Sequence, residues 1–161
     1  MRIIPQAAWI WSRPERALAF GFGSGLSLLA PGTVGTLYAW AIYLGFYAFL
    51  ESTTISWIIG IGAVAGIWIC GKVGEELGVP DHGGIVWDEF SGLWITFIFA
   101  PKHWMVALVG FALFRFFDIV KPPPIRAVER RFKGGFGVMI DDILAAGYTL
   151  LLLAVAWRIL G

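Results

Sequence analysis

Cysteine occurs once in the 161 residues, at Cys70, which excludes an internal disulfide. Set in an apolar run, Cys70 reads as a small buried hydrophobe. It is followed by Gly71-Lys72-Val73-Gly74-Glu75-Glu76, so the thiol-phosphatase pattern of a cysteine with an arginine six residues on is absent. No pair of aspartates brackets a single residue, which removes the aspartyl nucleophile motif of another phosphatase class. Histidine is limited to His82 and His103. Charge is also scarce: 14% of residues carry it, for a net of +1, so no nucleic acid is expected as a partner. No charged residue lies between Arg16 and Glu51. Internal repeats and low-complexity linkers are missing, and the length suits one domain over residues 1–161.

What fills the chain is apolar. Hydrophobic residues make up 58% and the mean hydropathy is +0.78, with nine Trp and 13 Phe to occupy lipid and interfacial positions. Charge-free runs cover Thr36 to Leu50, Ser52 to Gly71, Phe90 to Pro101, His103 to Phe114 and Ile143 to Trp157. None alternates strictly, so helices are expected, giving an all-α membrane bundle of about five short segments. The runs are short beside the roughly 20 residues of a full span, the third and fourth having only about 12 each. These two fit either a buried hairpin that does not fully cross or, as the charges at their inner ends favour, helices extending past those ends into protein-lined surroundings.

Ahead of these runs, Arg13-Pro14-Glu15-Arg16 interrupts the first apolar stretch, and no cleavable signal peptide is expected. Ser12 and Glu15 have the spacing of a capping box, predicting a short interfacial helix from Arg13 to Phe20, anchored by Trp9-Ile10-Trp11. If the five segments alternate, Arg2, Arg13, Arg16, Lys72, Arg115, Lys121, Arg126, Arg130, Arg131 and Lys133 share one side. Only Lys102 and Arg158 of the 12 basic residues fall on the other. The positive-inside rule then turns the charged side to the cytoplasm. His103 falls in an outer turn, so a mechanism using two histidines at one site is excluded.

Three stretches converge on that inner side. Gly21-Phe22-Gly23-Ser24-Gly25-Leu26-Ser27 leads to Pro31-Gly32-Thr33-Val34-Gly35-Thr36, where backbone N–H groups and the two threonine hydroxyls can hold an anion. A flexible turn with Thr33 or Thr36 as N-cap accounts for the same residues. Asp81-His82-Gly83-Gly84 precedes Asp88 and Glu89, which stand where an apolar helix begins; capping needs one carboxylate there, not two. In the third stretch, Arg115 and Asp118 share a helix face as an ordinary ion pair would. Pro122-Pro123-Pro124 ends that helix and is expected to force an extended run, flanked by Lys121 and Arg126. Arg130, Arg131 and Lys133 read as surface charges near anionic headgroups. Gly134, Gly135 and Gly137 permit a tight turn into Asp141-Asp142, of which one is expected to face inward.

Gathered together, Asp81, Asp88, Glu89, Asp118, Asp141 and Asp142 would repel one another unless neutralised. A hard divalent cation resolves this: Mg²⁺ takes carboxylate oxygens and bridges to phosphate. Lys121, Arg126 and the loop of Gly32, Thr33 and Thr36 then form the cradle for phosphate oxygens. This predicts metal-assisted phosphate-ester hydrolysis at a membrane surface, with Asp88, Glu89, Asp118 and Asp141 as catalytic acids. His82 or a carboxylic acid would protonate the leaving group. A small transport protein with a carboxylate-lined site is the other reading, disfavoured because the charges gather at one face and not at the midplane.

The blocks GFGSGLSLLAPGTVGT (Gly21–Thr36), PDHGGIVWDEFSGLWIT (Pro80–Thr96) and FRFFDIVKPPPIRAVERRFKGGFGVMIDDILAAGY (Phe114–Tyr148) resemble the phosphatidylglycerophosphatase A family. They span most of the chain, in order. Pro80 and Pro123, the latter where the family often has Trp, are departures outside the ionisable set. The resemblance implies a helical, Mg²⁺-dependent phosphatase of the bacterial cytoplasmic membrane. Such an enzyme converts phosphatidylglycerophosphate to phosphatidylglycerol and phosphate, working on membrane lipid without an obligate protein partner. Soluble relatives imply an all-helical fold with a central helix surrounded by others.

Overall fold

The computed structural model describes residues 4–160, and every described element is helical. The expected basic residue Arg2 lies outside the described residues. Two short helices, α1 (Ala7–Trp11) and α2 (Pro14–Ala19), precede a 3₁₀ segment at Gly21–Leu26. Long helices follow as α3 (Pro31–Phe49), α4 (Ser52–Glu76), α5 (Trp87–Phe99) and α6 (Trp104–Val120). A short α7 (Ile125–Arg131) leads into α8 (Gly134–Leu160).

The five apolar runs correspond to α3, α4, α5, α6 and α8. Two of these, α4 and α8, are long and apolar enough to cross a membrane. At 13 residues, α5 extends only about 20 Å. It is the most enclosed helix, packed against α3, α4, α6 and α8, while α8 touches α4, α5, α6 and α7. Indole and phenol groups fasten α5 by their polar ends. Trp87 Nε1 donates to the Gly62 carbonyl of α4 at 3.0 Å, Trp94 Nε1 to Ala39 of α3 at 2.8 Å, and Tyr43 of α3 donates to Phe97 at 3.2 Å. The outward faces are apolar as well: Ile61, Val64 and Trp68 of α4 are 64%, 72% and 59% exposed. A continuous apolar perimeter around a packed helical interior suits lipid better than water.

The helices alternate between two ends. At one, Lys102 donates to Ser52 Oγ at 2.6 Å and lies over the Tyr47 ring, joining the α3–α4 and α5–α6 turns. At the other, Arg16 pairs with Glu76 at 2.8 Å and Lys72 with Glu15 at 2.7 Å, clamping α2 to the end of α4. Cys70 is fully buried, its thiol 3.9 Å from the Met139 sulfur.

Several local expectations fail for identifiable reasons. The Ser12–Glu15 capping box does not form. Glu15 is drawn to Lys72, whose hydrogen bond holds its carboxyl below the ordinary range, and Ser12 Oγ donates to the Trp9 carbonyl of α1. Arg13 occupies the N-cap of α2 instead. The proline run forms a turn with a cis Pro123–Pro124 bond and not an extended stretch. The last helix starts at Gly134, not at Asp141, so Gly135 and Gly137 are helical and form no turn before it. A Cβ on Gly135 would overlap the Ile67 carbonyl, so this glycine lets α8 lie directly on α4.

Candidate active site

The chemistry-bearing residues meet at the end of the bundle where α5 and α8 begin and α6 stops. Asp88 and Glu89 occupy the first turn of α5, where the helix dipole favours anions. Asp118 lies in the last turn of α6, and Asp141 and Asp142 lie two turns into α8. Together with Asp81, Lys121, Glu129, Arg130 and Lys133, four of these acids line a cavity of about 260 Å³; Asp142 sits behind it.

Within this group Asp88, Asp141 and Asp142 each present a carboxylate oxygen, and the three atoms lie within 4.8 Å of one another. Both adjacent aspartates of α8 are buried, contrary to the expectation that one would turn away. The reason is that α8 is covered on several sides, so positions about 100° apart both meet protein. Asp88 Oδ1 and Asp142 Oδ2 are buried with no hydrogen-bond partner. Orphaned carboxylate oxygens buried in one acidic cluster are unfavourable without a cation.

The nearby basic side chains are already engaged. Arg115 Nη1 contacts Asp118 Oδ2 and Glu89 Oε1, the latter at 3.5 Å, and its Nη2 donates to Thr33 Oγ1 at 3.2 Å. Lys121 Nζ bonds Asp141 Oδ2 at 2.6 Å and Glu129 Oε1 at 2.7 Å. Burial opposes the Lys121 charge, but these two carboxylates outweigh it and hold the ammonium well above the ordinary lysine range. Lys121 adopts a left-handed conformation (φ 48°) as the C-cap of α6, a costly geometry for a residue with a side chain. Arg115 reaches none of the three aspartates and Lys121 reaches only Asp141, so the unmet oxygens of Asp88 and Asp142 could be satisfied by a hard divalent cation such as Mg²⁺.

Other expected residues stand apart from this arrangement. Thr36 is fully buried and donates to the Gly32 carbonyl at 2.8 Å, a contact internal to α3 that leaves nothing for phosphate. Ala30, not a threonine, is the N-cap of α3. Gly32 gives Glu89 its space: a Cβ would overlap Glu89 Oε1. Arg126 is exposed and donates to the Val120 carbonyl at 2.9 Å, capping α6 outside the cavity. His82 is buried against Phe20, with its Nδ1 accepting the Gly84 N–H at 3.1 Å, and does not line the cavity. The glycine-rich 3₁₀ segment packs on Gly84 and Val86 and does not line it either. Sequence reasoning missed Glu129, the single acid among four basic residues on and after α7, and the bridging role of Arg115. It also assigned Arg130 and Lys133 to the outer surface, whereas both line the cavity.

Residues 17–157 match the family model described as phosphatidylglycerophosphatase A. The chain belongs to the phosphatidylglycerophosphatase A family. It is 44% identical over 135 residues to the phosphatidylglycerophosphatase A of Escherichia coli K12, covering 83% of this chain and 78% of that protein. Its identity to the protein of the same name from Haemophilus influenzae is 44% over 145 residues, or 86% and 85% of the two chains. A Bacteroides thetaiotaomicron protein, named as a candidate phosphatidylinositol-3-phosphatase, is 43% identical over 149 residues, 88% of this chain and 92% of that one. No solved structure matches the chain.

Proposed function

We propose that this chain is a Mg²⁺-dependent phosphatase that hydrolyses phosphatidylglycerophosphate to phosphatidylglycerol and phosphate. It does so as a multi-pass protein of the bacterial cytoplasmic membrane, with the acidic cavity facing the cytoplasm. The reading is carried by the convergence of Asp88, Asp141 and Asp142, with Asp88 Oδ1 and Asp142 Oδ2 buried and unpartnered, in a chain of this family. The sidedness is supported by the gathering of basic residues at the cavity end of the helices.

Asp88, Asp141 and Asp142 would hold the metal. When bound, Mg²⁺ supplies charge neutralisation and Lewis-acid activation at a phosphomonoester. Lys121 orients Asp141 and keeps its Oδ2 fixed. Arg115 does the same for Glu89 and Asp118. Glu89 Oε2 is buried without a partner at the cavity wall, placing it to exchange a proton with water or the leaving alkoxide. Acyl chains would remain against the apolar perimeter while the headgroup enters the cavity.

The test is phosphate release from phosphatidylglycerophosphate by purified protein in detergent. Release should vanish with EDTA and return with Mg²⁺. No release under any divalent cation would refute the reading.

A further inference from the structure

We propose that Arg130 and Lys133 at the cavity mouth bind a second phosphate of the substrate, its phosphodiester. This rests on the phosphatase reading and assigns the residues that would distinguish a lipid carrying both a phosphodiester and a phosphomonoester from one with a single phosphate.

A second anion can be held only by cations not already paired with carboxylates. Four basic residues stand at or behind the cavity. Arg115 is taken by Glu89, Asp118 and Thr33, and Lys121 by Glu129 and Asp141. Moving either onto substrate would strand buried carboxylates. Arg130 lines the cavity, is exposed, and makes no hydrogen bond or ion pair among the described residues. Lys133 spends one donor on the Glu129 carbonyl at 3.2 Å and keeps the others. These two residues, in the last turn of α7 and the turn after it, are exposed, as is Asp81, whereas Asp88, Glu89 and Asp118 are half-buried and Asp141 is buried, so the two cations stand nearer the surface than the acids of the metal group.

The cavity therefore has two chemically distinct parts. Its floor is acidic and suits a metal-bound monoester. Its rim offers guanidinium and ammonium donors without carboxylate partners of their own, suited to a monoanionic diester. Phe132, exposed between them and packed edge-on against Phe136, gives the adjoining glycerol and acyl region an apolar contact. A lipid with only one phosphate cannot engage both parts.

The experiment measures kcat and KM in neutral-detergent micelles for wild type, the double variant R130Q/K133Q, and R131Q, whose residue does not line the cavity. The two lipids are phosphatidylglycerophosphate and phosphatidic acid. If phosphatidic acid is not turned over, its Ki as a competitor replaces KM. For R130Q/K133Q the expected result is a KM at least about ten-fold higher on the two-phosphate lipid, with kcat within about two-fold. Phosphatidic acid should be unaffected, and R131Q should resemble wild type throughout. An unchanged KM for the two-phosphate lipid overturns the proposal. So do equal losses on both lipids or an equal loss in R131Q, which would mark general attraction to anionic surfaces. Wild type that releases phosphate from neither lipid refutes the phosphatase reading itself, an outcome distinct from all of these.

Discussion

Removing Arg115 should damage this protein more than removing any acid it contacts. Its guanidinium serves Asp118, Glu89 at 3.5 Å and Thr33 at 3.2 Å, and the Arg115, Glu89 and Asp118 side chains are each 13% exposed. At an effective dielectric constant near 20, opposite charges about 4 Å apart attract by about 4 kcal/mol. Desolvation offsets much of this in the intact pair, but once the cation is gone the two anions keep their desolvation cost and lose the compensation. Breaking a buried pair in this way costs about 3–5 kcal/mol. Arg115→Met preserves most of the apolar stem, so the loss reads the charge. Asp118→Asn leaves Arg115 with Glu89 and should cost about 1–2 kcal/mol. The double variant R115M/D118N removes one of the two stranded anions and should be no worse than R115M alone, a coupling of about 1–3 kcal/mol. Thermal unfolding in detergent, followed by tryptophan fluorescence, measures all four proteins. If R115M melts within a degree of wild type, or the two losses simply add, Arg115 does not hold the wall together electrostatically.

Four further outcomes are expected. Asp142→Asn should lower phosphate release at least about 100-fold with the melting temperature near or above wild type, since a buried unpaired anion is removed; full activity, measured with Mg²⁺ present, would exclude Asp142 from the site. Glu89→Gln should likewise abolish release while the protein still folds, as judged by unchanged circular dichroism. Gly135→Val should destabilise the α4–α8 contact by about 3 kcal/mol or more, seen as loss of monodisperse protein on size exclusion. For Glu15, whose folded carboxyl is held below its unfolded value of 4.5 by Lys72, the pairing contributes above that pH and fades as pH falls through the folded value. The melting-temperature gap between wild type and Lys72→Met should therefore be largest near neutrality and close on acidification.

The long apolar runs and the acids were readable because each leaves a local signature. Lipid demands unbroken hydrophobic stretches, and carboxylates beside them have no cheap explanation. The partnering was not readable. Glu89 and Arg115 are 26 positions apart and Lys121 and Asp141 are 20 apart, and no periodicity links them. Lys121 and Arg126 looked equivalent as cations flanking three prolines, yet the left-handed turn at Lys121 sends one into the acids and leaves the other capping α6. Thr33 and Thr36 looked equivalent too. They are three residues apart on α3, but one meets Arg115 and the other bonds back to its own helix. Which of two similar residues reaches the site is decided by helix packing, and sequence spacing carries little of that.

Charge commitment explains why so acidic a cluster can persist at the end of an apolar bundle. Seven acids line or back the cavity: Asp81, Asp88, Glu89, Asp118, Glu129, Asp141 and Asp142. Arg115 and Lys121 neutralise the outer members, each bridging two carboxylates from different helices, so that one cation orders two walls at once. That leaves Asp88 and Asp142 with oxygens that no side chain reaches. Had evolution needed only stability, apolar residues would serve better there, because a buried anion without a partner is a net cost. The two bridges thus do more than hold helices: with Arg115 and Lys121 occupied, the Asp88 and Asp142 oxygens stay available for a ligand that brings its own positive charge.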